Sequence, residues 1–360
     1  MSIKKKLLLF VSVLVLSLVP TVMLTANAAE FDGDGSSDNP YKIETAEQLA
    51  DLASAVNNGA SYEGAYFLLT GDVDLGGVET PWTSIGKVIS NDDIKAFSGT
   101  FDGGGHKITG LYLENAKSDY QGLFGYTDGT IKNLAVYGNV NGGNYVGGIV
   151  GYNCSGGKIE NSSFSGNVKG GGYVGGIAGL SVGNIENSYS IGNITGSCYV
   201  GGIAGLNSGN IENSYNTGAV TGVSSVGGIA GHRGGIIMNC YNVGAVTGNS
   251  SVGSIIGNSY GIITNCYYLN SMTQDSNALA ISEEQFTQQN TYVSWDFDSI
   301  WDMSYLRGRP ILKSNPESDA GLQLAEVLSL ESVDIEFVST DVSESDINGP
   351  SLEMDFIQEL

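Results

Sequence analysis

Basic residues are scarce in this chain of 360 residues: 15 Lys and Arg stand against 38 Asp and Glu, a formal charge of −23. So acidic a protein repels nucleic acid and anionic membranes and favours cations or cationic partners. Histidine occurs only at His106 and His232, far from HExxH spacing, which excludes a zinc-peptidase site of that type. Four cysteines, Cys154, Cys198, Cys240 and Cys266, are too few for a disulfide-framework protein. Asp is missing altogether from Gly129 to Gln274, where Glu160, Glu186 and Glu212 are the only carboxylates. Glycan hydrolysis needs two carboxylates about 5–9.5 Å apart, and an extended catalytic face is hard to build from one Glu per repeat. Past residue 30 no apolar run approaches the roughly 20 residues of a membrane span.

What is present is repetition. The valines of the VGG segments, Val146, Val174, Val200, Val226 and Val252, are separated by 28, 26, 26 and 26 residues. Tyr120, in YQGLFG, is placed in the same column one repeat earlier, which makes six copies. A strict period in this range marks an architecture in which each unit covers its neighbour's open face. Each copy carries short strand-like pieces such as VGGIAG, GNIENSY and AVTG between Gly, Asn and Ser turns. The pattern predicts an all-β fold, a right-handed parallel β-helix with one repeat per coil.

The columns agree with that expectation. Ile131, Ile159, Ile185, Ile211, Ile237 and Ile263 form an apolar stack, and two residues on come Asn133, Asn161, Asn187, Asn213, Asn239 and Asn265. Asn tolerates left-handed bends, and stacked at the ~4.8 Å rung spacing of paired strands its amide can bond the Asn above. ITGL, with Ile108 and Leu111, is expected to align with Ile131 and Leu134 as a slightly shorter coil.

The remaining segments read as ends. Residues 1–28, with Lys4, Lys5 and Lys6, an apolar run and Ala26-Asn27-Ala28, match a secretory signal peptide cleaved after Ala28. Residues 29–117 are expected to hold an N-terminal cap and first coils. Their helix is announced by a Thr45/Gln48 capping box and by Leu49, Leu52, Ala53 and Val56 on one face. Residues 118–272 are the repeats. Residues 273–313 are a C-terminal cap, with a Ser282/Gln285 capping box and Trp295, Phe297, Trp301 and Tyr305 to seal the last coil. Residues 314–360 form a tail with twelve carboxylates and no Lys or Arg.

Gly122-Leu123-Phe124-Gly125, and its variants Gly148-Ile149-Val150-Gly151 and Gly176-Ile177-Ala178-Gly179, resemble the GLUG motif of bacterial surface proteins. The flanks DNPYKIETAEQLADLA, FSGTFDGGGHKITGL and WDF…W…RP-I-L resemble the same family, so the likeness spans about residues 31 to 313. It implies a secreted or cell-surface β-helix, in a family often linked to adhesion and sometimes attached to metallopeptidases that cut immunoglobulin A. Neither proteolysis nor covalent wall anchoring carries over, because HExxH and an LPxTG-like sorting signal are both missing.

The expected function is therefore exported and non-catalytic: adhesion, ligand binding or a structural spacer. The competing readings are a polysaccharide lyase or hydrolase and an accessory module of a larger secreted system. No catalytic residue and no cofactor is assigned, and a monomer is expected. A glycan or a host or matrix protein is the expected partner. Two groups could hold calcium: the aligned Glu160, Glu186 and Glu212, and Asp32, Asp34 and Asp38 in FDGDGSSDNPY. The bland alternatives are a solvated row relieved by Lys132 and a turn entering the first strand. Tyr189, Tyr215, Tyr241 and Tyr267 form a column that could stack on sugar rings or pack as a buried ladder. Cys240 and Cys266 share a column in neighbouring coils, where a disulfide and a buried thiol stack both remain open.

Overall fold

The computed structural model describes residues 31–272, 278–303 and 308–314. The expected signal peptide, Tyr305 and all but the first residue of the acidic tail lie outside them. The backbone of the described part winds as a parallel β-solenoid. Its clearest record is a nine-stranded sheet in which every neighbouring pair is parallel, from Tyr41–Ile43 through Tyr66–Leu69, Thr100–Asp102 and Thr130–Lys132 to Ile262–Thr264. Nine strands in sequence order mean about nine turns of the chain.

In the repeats each coil is divided more finely than its sequence suggests. The coil from Cys198 contains strands Cys198–Gly201, Ala204–Asn207, Asn210–Glu212, Tyr215–Asn216 and Val220–Thr221, which enter four different sheets. Glycine sets the bends between them. A Cβ on Gly201 would collide with the Ala204 carbonyl oxygen of its own coil, and one on Gly202 would meet Asn216 across the interior. The pair of glycines lets the chain turn sharply and lets the opposite wall come close.

The interior is a set of columns. Ile131, Ile159, Ile185, Ile211 and Ile237 are fully buried. The Asn column sits in left-handed backbone, with φ between 47° at Asn161 and 52° at Asn133. Asn161 Nδ2 donates to Asn133 Oδ1 at 3.1 Å, and Asn239 donates to Asn213 at 3.2 Å. Polar columns also run through the interior. Ser162, Ser188 and Ser214 donate to the carbonyls of Glu160, Glu186 and Glu212 at 2.7–2.8 Å. Cys240 and Cys266 continue that column as free, buried thiols directed at the Met238 and Thr264 carbonyls.

Two expected registers are corrected. Ile131 pairs with Phe101, thirty residues back, while Ile108 and Leu111 face Val136 and Gly138. The turn from Asp102 to His106 takes up the extra residues, so this coil is longer than the repeats, not shorter. Val146 pairs with Gln121, not Tyr120. A shift of one residue moves a side chain to the other face of a strand, and Tyr120 thereby leaves the inward valine column.

At the N-terminal end, helix α1 (Ala46–Asn57) forms with its capping box complete: Thr45 accepts from the Gln48 N–H, and the Gln48 side chain accepts from the Thr45 N–H. Leu49, Leu52, Ala53 and Val56 are buried in the same core as Phe67 and Ile85. The C-terminal segment behaves differently from expectation. Leu279–Ile281 adds a strand beside Tyr267–Leu269, but Phe286, Tyr292, Trp295 and Trp301 pack against the side of the stack. Trp301 lies 6.2 Å from both Tyr215 and Tyr241, two different coils. A lateral cover buries more ring surface than an end seal, because it meets the Tyr column along its length.

Candidate functional site

The site with the most chemistry to offer is built from a residue type that the fold does not need there. Tyr145, Tyr173 and Tyr199 each precede the inward valine of a VGG segment. They and Tyr120 hold left-handed backbone, with φ of 57°, 57°, 55° and 58°. That conformation costs an L-residue roughly 1–2 kcal/mol. The next coils take the same bend with Ser225 and Ser251, at φ 55° and 51°. The bend therefore forms without a ring.

The last glycine of each motif makes room for it. A Cβ on Gly179, Gly205 or Gly231 would strike the backbone at Tyr145–Val146, Tyr173–Val174 or Tyr199–Val200 of the preceding coil. The four rings stack at centroid distances of 4.7, 4.7 and 4.9 Å, with planes within 21° of each other. Each such contact is worth about 0.5–1.5 kcal/mol, which roughly offsets the backbone strain and leaves little net gain. All four rings remain half-exposed.

A second column lies alongside. Tyr126 stacks on Tyr152 at 4.8 Å, and the register continues through Leu180, Leu206 and His232. Tyr152 is 6.2 Å from Tyr145, and His232 meets Tyr199 edge-on at 5.3 Å. Together the columns form one half-exposed aromatic face across successive coils. Burial raises the phenol pKa of Tyr120, Tyr145, Tyr152 and Tyr173. Tyr126 is raised further, chiefly by burial and then by its bond to the Cys154 sulfur at 3.5 Å. These hydroxyls stay protonated, and able to donate, at neutral pH.

The Tyr column singled out from the sequence is not a sugar platform. Tyr189, Tyr215, Tyr241 and Tyr267 are at most 2% exposed. They stack at 4.9 Å where ring pairs are formed by Tyr189, Tyr215 and Tyr241, and the C-terminal segment covers them. Tyr241 Oη donates to the Pro310 carbonyl at 2.8 Å, and Tyr267 Oη accepts from the Val293 N–H at 3.0 Å. The exposed column was legible as a Tyr recurring before the VGG valines at 145, 173 and 199. Placing Tyr120 in the valine column hid it.

The structure places the two calcium candidates among existing ion pairs and turn hydrogen bonds. Lys158 sits between Glu160 and Glu186 at 2.6 and 3.1 Å, while Lys132 pairs with Asp102. The relief of the Glu row thus comes from Lys158, and the carboxylates it would lend to a cation are already bridged. Among the described residues Glu212 has no such cation, and burial followed by repulsion from Glu186 raises its pKa. In the N-terminal loop, Asp32 pairs with Lys42 at 2.6 Å and Asp34 accepts from the Ser36 N–H at 2.9 Å, while Asp38 stays exposed. That is a closed turn. Among the described residues no group of three or more His, Cys, Asp or Glu side chains is placed to hold a metal ion.

The GLUG motif family matches this chain at residues 142–169 and 196–221, so the chain carries GLUG repeats. It is similar to Halomucin of Haloquadratum walsbyi, with 32% identity over 161 residues, 35% of this chain and 2% of that one. It is also similar to an Evansella cellulosilytica protein provisionally described as a Gly-rich membrane protein, with 34% identity over 113 residues, 30% of this chain and 12% of that one. The chain thus spans only a small part of the curated relatives it matches. Among solved structures it resembles a Bacteroides ovatus protein provisionally described as an immunoglobulin A1 protease. There the TM-score is 0.61 and the identity 28%, over 78% of this chain and 94% of that one. Among the described residues no helix is long and apolar enough to cross a membrane.

Proposed function

We propose that this chain is an exported, non-catalytic solenoid that binds an extended glycan along the Tyr120–Tyr199 face. One observation carries the reading: Tyr is kept at four strained, half-exposed positions where Ser makes the same bend. Inside the stack each ring face is taken by its neighbour, so a ligand meets ring edges and hydroxyls at intervals of one coil. Such a surface suits a polymer that offers a hydroxyl-rich unit to each rung. A single sugar would touch too little of it. The acidic surface disfavours anionic polysaccharides. Export rests on the leader-like residues 1–28 and on the membrane description of the Evansella relative.

The test is a glycan array probed with residues 29–360, repeated with Tyr145→Ser and Tyr173→Ser combined. Binding of extended neutral glycans that falls at least tenfold in the double variant is the expected result. Equal binding by both proteins would remove the face from consideration. A peptidase reading rests on the description of the Bacteroides ovatus neighbour; cleavage of immunoglobulin A by the purified protein would replace the present proposal.

A further inference from the structure

The ladder does not simply stop at its first rung. Between α1 and the segment from Asp74 to Lys87 lies a cavity of about 680 Å³, with Ala46, Ala50 and Ala53 on one side and Trp82 on the other. A second cavity of about 460 Å³ shares Asn57, Pro81, Trp82, Thr83 and Lys87 with the first and reaches Asp119, Tyr120 and Gln121. Sharing these walls, the two adjoining cavities make up a trough region whose second part reaches Tyr120, the ring stacked on Tyr145 at the start of the ladder. Both volumes are in the range of small-molecule sites.

The trough is firmly built. Trp82 is 9% exposed, and its Nε1 donates to the Leu123 carbonyl at 3.1 Å, which fixes the indole. Asn57 is also 9% exposed; its Nδ2 donates to the Ser84 carbonyl at 3.0 Å, while Oδ1 is buried with no partner among the described residues. A buried acceptor left without a donor costs about 1–3 kcal/mol. A hydroxyl entering the trough, with a small shift of the carboxamide, would supply that donor. The charges select as well. Glu47 and Asp74 line the first cavity and Glu114 and Asp119 the second, against Lys87 as the one cation of either lining.

We propose that this trough recognises the end of the glycan: the chain lies along the tyrosines and its terminal sugar, neutral or amine-bearing, enters beside Tyr120 between Trp82 and Asn57. The inference rests on the Tyr-face reading and adds direction to it, because the trough meets the ladder at Tyr120, its first rung. Uronate and sialate ends are repelled by the four carboxylates.

Titration calorimetry on residues 29–360 tests it with a β-1,4-linked glucose hexamer, its glucosamine counterpart, and the same hexamers with a bulky anthranilate group on each end. Ala50→Trp fills the first cavity from an exposed helix position, and thermal melting checks that it folds. Expected are at least tenfold weaker binding of free-ended hexamer by Ala50→Trp, and a similar loss when the ends are blocked on the parent. Unchanged affinity in both cases would overturn end recognition while leaving the tyrosine face intact. A loss with Ala50→Trp but none with Tyr173→Asn would overturn the face itself and with it the directional reading. Failure of both hexamers to bind the parent would sink both. A glucuronate hexamer binding as tightly as glucose would overturn the charge argument.

Discussion

The molecule contains two tyrosine ladders built on the same coils, and they differ in what covers them. Tyr189, Tyr215 and Tyr241 stack at 4.9 Å, and Tyr120, Tyr145, Tyr173 and Tyr199 at 4.7–4.9 Å. The geometry is the same because the rung spacing of a parallel sheet sets it. The first ladder lies under Trp295, Trp301 and Phe286 and is at most 2% exposed. The second is uncovered among the described residues and sits on strained backbone. Stacking alone therefore says nothing about role. Cover does: the buried ladder belongs to a second core, and the open one leaves its rings half-exposed at a bend that Ser225 and Ser251 form without a ring.

The comparison is broken most directly at Tyr241, whose ring is 1% exposed and whose hydroxyl is bonded to the Pro310 carbonyl. Replacing a buried aromatic by Ala costs about 3–5 kcal/mol, so Tyr241→Ala is expected to lower the urea midpoint sharply. A loss under 1 kcal/mol would mean that the C-terminal segment does not pack on the ladder as described. Tyr173→Asn is the counterpart on the open side. Asn tolerates left-handed backbone, so relief of strain offsets two lost stacking contacts, and stability should stay within about 1 kcal/mol of the parent. A fluorophore on Cys198, the exposed cysteine next to Tyr199, would report whether glycan binding has been lost. Destabilisation on the scale of Tyr241→Ala would erase the distinction between the ladders.

Thiol chemistry sharpens the same contrast between covered and open columns. Cys198 is exposed, Cys154 is half-buried, and Cys240 and Cys266 are buried with the Cys240 thiol pKa pushed up by burial. Reactivity follows thiolate fraction and access. A disulfide-exchange reagent should modify Cys198 first in the native protein and reach Cys240 and Cys266 only on unfolding. Fast reaction of all four in native buffer would show that the interior columns open readily.

The solenoid was legible because its signals repeat. Six Ile and six Asn at fixed steps leave few alternatives, and one local error is outvoted by its neighbours. The capping boxes at Thr45 and Ser282 were legible because they depend on four consecutive residues. Register outside the strict period was not: Gln121 replaces Tyr120 opposite Val146, and Phe101 replaces Ile108 opposite Ile131. Turn lengths decide such pairings, and the Gly-rich turns allow more than one. The site suffered from the same limit. Both Tyr columns were written in the chain, but which one a later segment would cover depends on contacts between residues far apart in sequence, such as Tyr215 with Trp301.

The smallest effect is expected in a third column on the same coils, where aligned groups repel instead of stacking. Glu186 is bridged by Lys158, but Glu212 stands next to Glu186 with no cation of its own among the described residues. Burial first, and Glu186 second, raise its pKa. A carboxyl with a higher pKa folded than unfolded favours the folded state while it is protonated. That contribution is present below the unfolded pKa and is lost as pH rises through the folded one. Glu212→Gln removes the titration, so the variant should gain on the parent as pH rises from about 4 to about 7, with a change in urea midpoint smaller than that of Tyr173→Asn. An equal difference between the two proteins at both pH values would mean that Glu212 is fully solvated. The Glu row would then be the one column of the three whose alignment carries no energy, since water would screen it as completely as the C-terminal segment covers Tyr241.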